Sequence, residues 1–546
     1  MNSGARDPLF STMMDFPLVL PQILERAARI FPKVEIVSRR PDKSVARSHY
    51  ADFARRARAL AAGLLASGLH RGDRVATLQW NHQFHLEAYF GVPAAGAILH
   101  TLNLRLHPDE LAFIIKHAAD RFLLIDDVLL PLLEKLSSKV HFERVWVVPF
   151  SGQPLPAGWE SYESLLGGAS ADFKYPTLNE NEAAAMCYTS GTTGQPKGVI
   201  YSHRALVLHS MNLAAVDTLA VSERDVVLSA ASMFHVNAWG FPHVATMVGA
   251  KQVFPGPHLD GESFLDLLAS ERVTLTNGVP TIWIGVLDAL NRHPGRWKLA
   301  PGFRALCAGS APPEALFRGL DRHGIELLHA WGMTETTPLA SFSRLSPEMR
   351  LRSPDQQYSA RALQGREAPF VNLRAMAGDQ EVPWDGCSLG ELHVRGAWIA
   401  ASYYELPETQ DRWTEDGWFR TGDVAAISPD GTIRIADRSK DLIKSGGEWI
   451  SSVDVENALM AHPAVKEAAV IGLAHPKWQE RPLAVVVCRE GVQPTPDELR
   501  EFLAVRFAKW QLPDAFVFIA EIPRTSVGKF QKSRLREMYS DWKWES

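Results

Sequence analysis

Tyr188-Thr-Ser-Gly-Thr-Thr-Gly-Gln-Pro-Lys-Gly-Val199 packs three glycines, four serines or threonines and one lysine into a single short stretch. Glycines let backbone N–H groups turn toward an anion with no Cβ in the way. The hydroxyls of Thr189, Ser190, Thr192 and Thr193 add donors, and Lys197 adds a point charge. Such a loop either cradles a polyphosphate or is a glycine-rich turn between two strands. Gly198 follows the lysine where a Walker A loop has Ser or Thr. The segment predicts a nucleotide site outside the P-loop NTPases.

On either side of this loop, strands alternate with helices. Apolar spacing predicts helices over 19–31, 50–67 and 84–95. It predicts strands over 74–79, 122–125, 145–148, 226–229, 252–254 and 275–279. This rhythm predicts an α/β fold with a doubly wound, mainly parallel core. Near residues 437–444, Asp-Arg-Ser-Lys-Asp-Leu-Ile-Lys, charges crowd together, and Ser445-Gly-Gly447 follows. That run predicts an exposed linker. Beyond it comes a smaller α+β pattern: helices over 453–460 and 497–507, strands over 468–472, 483–488 and 515–519. The expected domains are residues 1–438, large, and residues 439–546, small.

The composition suits this size. A chain of 546 residues exceeds what a single core serves, roughly 250–300 residues. A net charge of −5 gives no basic surface for tracking nucleic acid. Cys187, Cys307, Cys387 and Cys488 lie far apart, with no metal-ligand or CxxC spacing. The expectation is four small buried hydrophobes in a reducing, cytoplasmic setting. The first residues carry Asp7, Asp15, Pro17 and Pro21 rather than a signal pattern. No apolar run approaches the roughly 18 residues of a membrane span.

Further polar clusters fall where strands end, which is where ligands gather in open parallel sheets. One is the Gly309-Ser310-Ala311 turn after a strand that begins at Phe303. Another is Trp331-Gly-Met-Thr-Glu335: Trp331 offers a flat face, and Gly332 lets a ring approach the backbone. Thr334 offers a hydroxyl. Glu335 is either a hard ligand for phosphate-bridging Mg²⁺ or a solvated loop carboxylate. Asp416-Gly-Trp-Phe-Arg-Thr-Gly-Asp423 reads as a turn-rich loop whose final carboxylate can accept two ribose hydroxyls. Lys529 stands on a glycine-containing turn near the C-terminus, where a lone lysine is usually a surface charge.

Together, Tyr188–Val199, Trp331–Glu335, Thr421-Gly-Asp423, Asp437-Arg438 and Gly528-Lys529 resemble the acyl-adenylate-forming enzymes, from about residue 20 to 535. That family includes acyl-CoA synthetases, peptide-synthetase adenylation domains and beetle luciferases. The resemblance implies that Thr189, Ser190, Gly191, Thr192, Thr193 and Lys197 hold the β,γ-phosphates of ATP. It implies that Gly309, Ser310, Ala311, Trp331 and Gly332 frame adenine, and that Asp423 and Arg438 hold the ribose. Thr334 would touch the α-phosphate, Glu335 would bind Mg²⁺, and Lys529 would bridge the substrate carboxylate and α-phosphate. Lys440, two residues after Arg438, would be the hinge of a rotating small domain; many members have Asp there.

Ser232-Met-Phe-His-Val-Asn-Ala-Trp-Gly240 lacks the acidic residue that would pair an amino-acid ammonium. It resembles the medium- to long-chain fatty acyl-CoA synthetase branch, in which Trp239 would gate an acyl tunnel and His235 would line it. The alternatives are a core aromatic on a helix and a packed, hydrogen-bonded histidine. Residues 444–452, Lys-Ser-Gly-Gly-Glu-Trp-Ile-Ser-Ser, resemble the CoA-ligase version of their loop, which implies coenzyme A as acceptor. Three functions stay open: a fatty acid–CoA ligase, a CoA ligase for an aryl, short-chain or thioether acid, and a non-catalytic nucleotide-binding scaffold. Some relatives are homodimers, so a homodimer is one expectation.

Overall fold

The predicted rhythm of strand and helix builds two large sheets. The computed structural model describes residues 11–167, 173–189, 195–438, 440–445, 448–525 and 529–544. In the nine-stranded sheet six neighbouring strands pair in parallel: Ile325–Gly332, Phe303–Cys307, Leu275–Gly278, Val226–Leu228, Lys251–Phe254 and Glu35–Arg39. The seven-stranded sheet is parallel except at Gly198–Ser202, which runs antiparallel to Ala183–Tyr188. That antiparallel pair is the stem of the Thr/Ser/Gly loop. Helices Leu20–Ile30, Tyr50–Ala66 and Gln83–Ala94 form where the apolar spacing predicts them. The last two pack closely enough that a Cβ at Gly91 would lie 2.8 Å from the Ala57 carbonyl oxygen.

A third sheet is antiparallel: Gln380–Glu381, Val371–Ala377, Gly390–Gly396, Phe419–Ile427 and Ile433–Arg438. It corrects two expectations. Residues 419–423 belong to a strand rather than a loop; Gly422 at φ +74 and a bulge between Val424 and Ala425 hid its alternation. The stretch 437–444 is not an exposed linker either. Asp437 is buried as the hydrogen-bond acceptor of Ser452, Asp441 is buried against Arg536, and Leu442 and Ile443 enter the core. Its two carboxylates are buried and hydrogen-bonded, which composition alone does not reveal.

The C-terminal part forms a small sheet of Glu448–Ile450, Ile443–Ser445, Gln479–Cys488 and Val465–His475, with Ala515–Phe518 paired to Gln479–Cys488. Helix Ser452–Met460 packs on it, and Pro496–Ala504 ends three residues before the predicted 507. Cys187 and Cys307 are buried as expected, but Cys387 is exposed and Cys488 only partly covered. Cys387 sits in the turn 385–388, where the Asp385 carboxylate takes the Cys387 and Ser388 N–H groups and leaves the thiol outside. Among the described residues no helix is long and apolar enough to cross a membrane.

Candidate active site

One cavity of about 550 Å³ lies where the carboxyl ends of the nine-stranded sheet meet the antiparallel sheet and the small C-terminal unit. It is lined by Thr189, Lys197, Gly309, Ser310, Ala311, Trp331, Gly332, Thr334, Glu335, Asp423, Arg438, Lys440 and Lys529, and by His235 and Trp239. Sequence positions more than 300 apart thus meet around one space. Ser190, Gly191, Thr192 and Thr193 lie outside the described residues. At the loop's described ends Thr189 N–H donates to the Lys197 carbonyl (2.9 Å), and Lys197 N–H donates to Thr189 Oγ1 (3.0 Å). This pairing closes the hairpin stem and carries Lys197 to the cavity.

Asp423 is buried at the centre. Its Oδ1 accepts from Arg438 Nε at 2.6 Å and its Oδ2 from Trp331 Nε1 at 2.9 Å. Cross-strand pairing of Asp423 with Arg438 sets the first contact by register alone. Gly332 has a reason for being glycine that the sequence does not suggest. A Cβ there would fall 1.8 Å from the Pro338 carbonyl oxygen, so the turn back into Leu339–Phe342 requires it whether or not a ring approaches. Gly309, at φ +93, does face the cavity: an added Cβ would come 3.7 Å from Lys529 Cε.

Glu335 is not a solvated loop carboxylate. It is 5% exposed, and its Oε1 accepts from the Tyr403 hydroxyl at 2.5 Å. Tyr403 is a site residue that the sequence does not single out; nothing in its spacing signals it, and only its contacts do. Among the described residues no group of three or more His, Cys, Asp or Glu could hold a metal ion. Glu335 brings one hard carboxylate donor to the cavity, which fits a cation that keeps phosphate and water ligands.

Lys529 is not a surface charge. Burial pulls its ammonium down to about 8, the Arg438 charge pulls in the same direction, and Asp423 and Glu335 oppose them. Two contacts join Lys529 to Thr525: Thr525 N–H to the Lys529 carbonyl (2.8 Å), and Lys529 N–H to Thr525 Oγ1 (3.2 Å). Three residues on, Lys532 Nζ reaches Ser452 Oγ at 2.5 Å and Glu456 Oε1 at 2.7 Å. Ser452 N–H donates to Asp437 Oδ2 at 2.8 Å. The segment bearing Lys529 is thereby tied to the antiparallel sheet.

His235 lies in the cavity wall, where burial and then the neighbouring Lys529 charge lower its imidazole to about 3, so it is neutral. Trp239 is 6% exposed and lies in no right-handed helix. Val236, Asn237, Ala238 and Trp239 have φ of +43, +49, +48 and +60. Four non-glycine residues in that region cost of order 1 kcal/mol each. Asn277 holds the turn, its Nδ2 donating to the Ala238 carbonyl at 3.1 Å and its Oδ1 accepting from Ala230 and Ala231 N–H. The helix Phe241–Val248 starts after it.

Residues 24–404 match the AMP-binding enzyme family, and residues 454–529 match the AMP-binding enzyme C-terminal domain. The chain belongs to the AMP-binding enzyme family. It is 50% identical to a long-chain-fatty-acid–CoA ligase of Thermus thermophilus, over 97% of each chain. It is 42% identical to a 3-methylmercaptopropionyl-CoA ligase of Ruegeria lacuscaerulensis, over 98% of this chain and 99% of the other. It is also 42% identical to a medium-chain-fatty-acid–CoA ligase of Ectopseudomonas oleovorans, over 98% of each. Among solved structures, ATP-bound MatB from Rhodopseudomonas palustris superposes with a TM-score of 0.80 at 26% identity, covering 95% of this chain and 99% of that one. The anthranilate CoA ligase AuaEII in complex with anthranoyl-AMP, at 24% identity and TM-score 0.85, shares the fold over 96% and 98%.

Proposed function

We propose that this chain is an AMP-forming acid–thiol ligase that activates a medium- to long-chain fatty acid with ATP and transfers the acyl group to coenzyme A. The observation that carries this reading is Lys529, which lines the same cavity as Asp423, Arg438 and Glu335. In the first step a carboxylate oxygen bonds the α-phosphorus, the α–β bridging bond breaks and pyrophosphate leaves. In the second, the CoA sulfur, having lost its proton, attacks the acyl carbon and AMP departs.

Two anions must approach in the first step, and Lys529 lies where its charge offsets their repulsion. Lys197 and the Thr189–Thr193 loop hold the β,γ-phosphates. Gly309, Ser310, Ala311, Trp331 and Gly332 frame adenine, Asp423 and Arg438 take the ribose, and Thr334 takes the α-phosphate. Glu335 would hold Mg²⁺, which supplies charge neutralisation across the phosphates. Residues 1–438 form the large domain and 439–546 the rotating one, with Lys440 as hinge. Residues 446 and 447, the glycines of the loop that resembles its CoA-ligase version, lie outside the described residues. The likeness to CoA ligases along the whole chain supports coenzyme A as acceptor. Four free cysteines support a cytoplasmic setting. A homodimer rests on the resemblance alone, and light scattering decides it.

An acid that the enzyme accepts must support ATP–pyrophosphate exchange, and CoA must then release AMP. Short, medium and long straight-chain acids, an aryl acid and a thioether propionate form the panel. Exchange with the thioether acid alone would favour the second reading, which rests on the 42% identity to a 3-methylmercaptopropionyl-CoA ligase. No exchange with any acid would leave a nucleotide-binding scaffold.

Two substitutions test the assignment. Glu335→Gln is expected to raise the Mg²⁺ needed for half-maximal rate several-fold with the fold intact, because a hard cation loses a charged oxygen ligand but keeps its phosphates. An unchanged Mg²⁺ titration removes Glu335 from the metal site. Trp239→Ala is expected to shift acyl selectivity and leave the ATP KM in place. Each buried methylene contributes about 0.8 kcal/mol, so discrimination between acids two carbons apart shifts roughly tenfold. The comparison is kcat/KM along the acid ladder, and a parallel drop for every acid would make Trp239 a packing residue only.

A further inference from the structure

We propose that Tyr403 is a positioning residue that holds the metal-binding carboxylate and the phosphate-binding lysine in one geometry for the ATP triphosphate. The proposal rests on the reading of Glu335 and Lys197 given above. Three observations carry it. The Tyr403 hydroxyl donates to Glu335 Oε1 at 2.5 Å. The Lys197 ammonium lies over the Tyr403 ring, 5.2 Å from its centroid. The ring itself is fixed edge-on against Trp413, with centroids 5.2 Å apart and planes at 73°.

The backbone around Tyr403 ties the same two groups together. Ala400 N–H donates to the Glu335 carbonyl at 2.8 Å, and Tyr404 N–H donates to the Gly198 carbonyl at 2.9 Å, one residue after Lys197. Trp413 Nε1 donates to the Ala400 carbonyl at 2.7 Å. Residues 400–404 thus form a strap whose ends are bonded to the two elements that would hold the triphosphate, with Tyr403 touching both side chains. The Tyr403 hydroxyl is the donor in this bond and the Glu335 carboxylate accepts it. Bound from one side, Glu335 loses rotamer freedom before any cation arrives, and the ring's negative face keeps Lys197 from folding back onto Glu335.

This arrangement separates ligands by their phosphates. ATP has the β,γ-phosphates that Lys197 and the metal address; AMP has neither. The experiment is equilibrium binding of ATP and of AMP to the full-length protein, without acid or CoA, across a Mg²⁺ titration. Tyr403→Phe keeps the ring and removes the hydroxyl. It is expected to raise the Mg²⁺ needed for half-maximal ATP binding about tenfold, with metal-free ATP binding unchanged. Tyr403→Leu removes the ring as well and is expected to weaken metal-free ATP binding a further threefold or so. AMP binding should stay within about twofold of the parent in both, which a merely structural role would not give. Parallel losses for AMP and ATP, or a parent-like Mg²⁺ titration in Tyr403→Phe, would overturn the proposal. If the parent protein itself binds ATP with no dependence on Mg²⁺, the reading of Glu335 fails first and takes this proposal with it.

Discussion

Replacing Lys529 with alanine is expected to slow the adenylation half-reaction by about 10²–10³-fold, some 3–4 kcal/mol, the usual cost of removing a charge aimed at a transition state. Thioester formation from supplied acyl-AMP should be spared, because the small domain carries Lys529 and would rotate it out of the site before the thiol attacks. Pyrophosphate exchange reads the first half and CoA-dependent AMP release from acyl-AMP reads the second; equal losses in both would remove Lys529 from its role. Its depressed ammonium adds a pH signature. The group is charged below about 8 and neutral above, so kcat/KM for exchange should fall as pH rises through about 8. Lys529→Arg, charged throughout, should lose that fall whatever its absolute rate.

Lys440→Pro is expected to do the reverse: exchange near the parent rate, CoA-dependent turnover lower by at least about tenfold, since proline fixes φ near roughly −65° at the residue meant to turn. Before Lys440, Asp437 is bonded to Ser452 and Arg438 to Asp423. Across it, Asp441 N–H and Leu442 N–H both donate to the Arg438 carbonyl at 2.9 Å, bonds that rotation at Lys440 must break, and beyond it Asp441 pairs with Arg536 at 2.6 Å. Lys440 itself lines the cavity. Rotation there must also break Ser451 Oγ to the Ala436 carbonyl (2.5 Å) and the Arg434–Asp454 pair (3.6 Å), contacts that favour the orientation with Lys529 inside. Parent-level turnover in both assays would place the hinge elsewhere.

Local chemistry made part of this protein legible from its residues. Period-two and period-3.6 apolar spacing depends only on which face a strand or helix buries, so the parallel core and helices such as Tyr50–Ala66 follow from sequence. The donors of the Thr189–Lys197 loop are likewise a property of its residue types. What sequence could not decide depended on partners far along the chain. Residues 437–444 look like a solvated charge run until Ser452 and Arg536 are brought to Asp437 and Asp441. Glu335 passes for a solvated loop carboxylate until Tyr403, 68 positions away, closes over it. Gly332 looks like an opening for a ring until the chain returns through Pro338 and occupies the place of its Cβ. For Trp239 the sequence leaves a tunnel gate and a core aromatic on a helix both open, and the left-handed turn that brings it to the cavity, with Asn277 pinning Ala238, appears only in the folded chain. Burial and pairing are sums over the folded chain, and a carboxylate's solvation or a lysine's charge takes its final value only when that sum is complete.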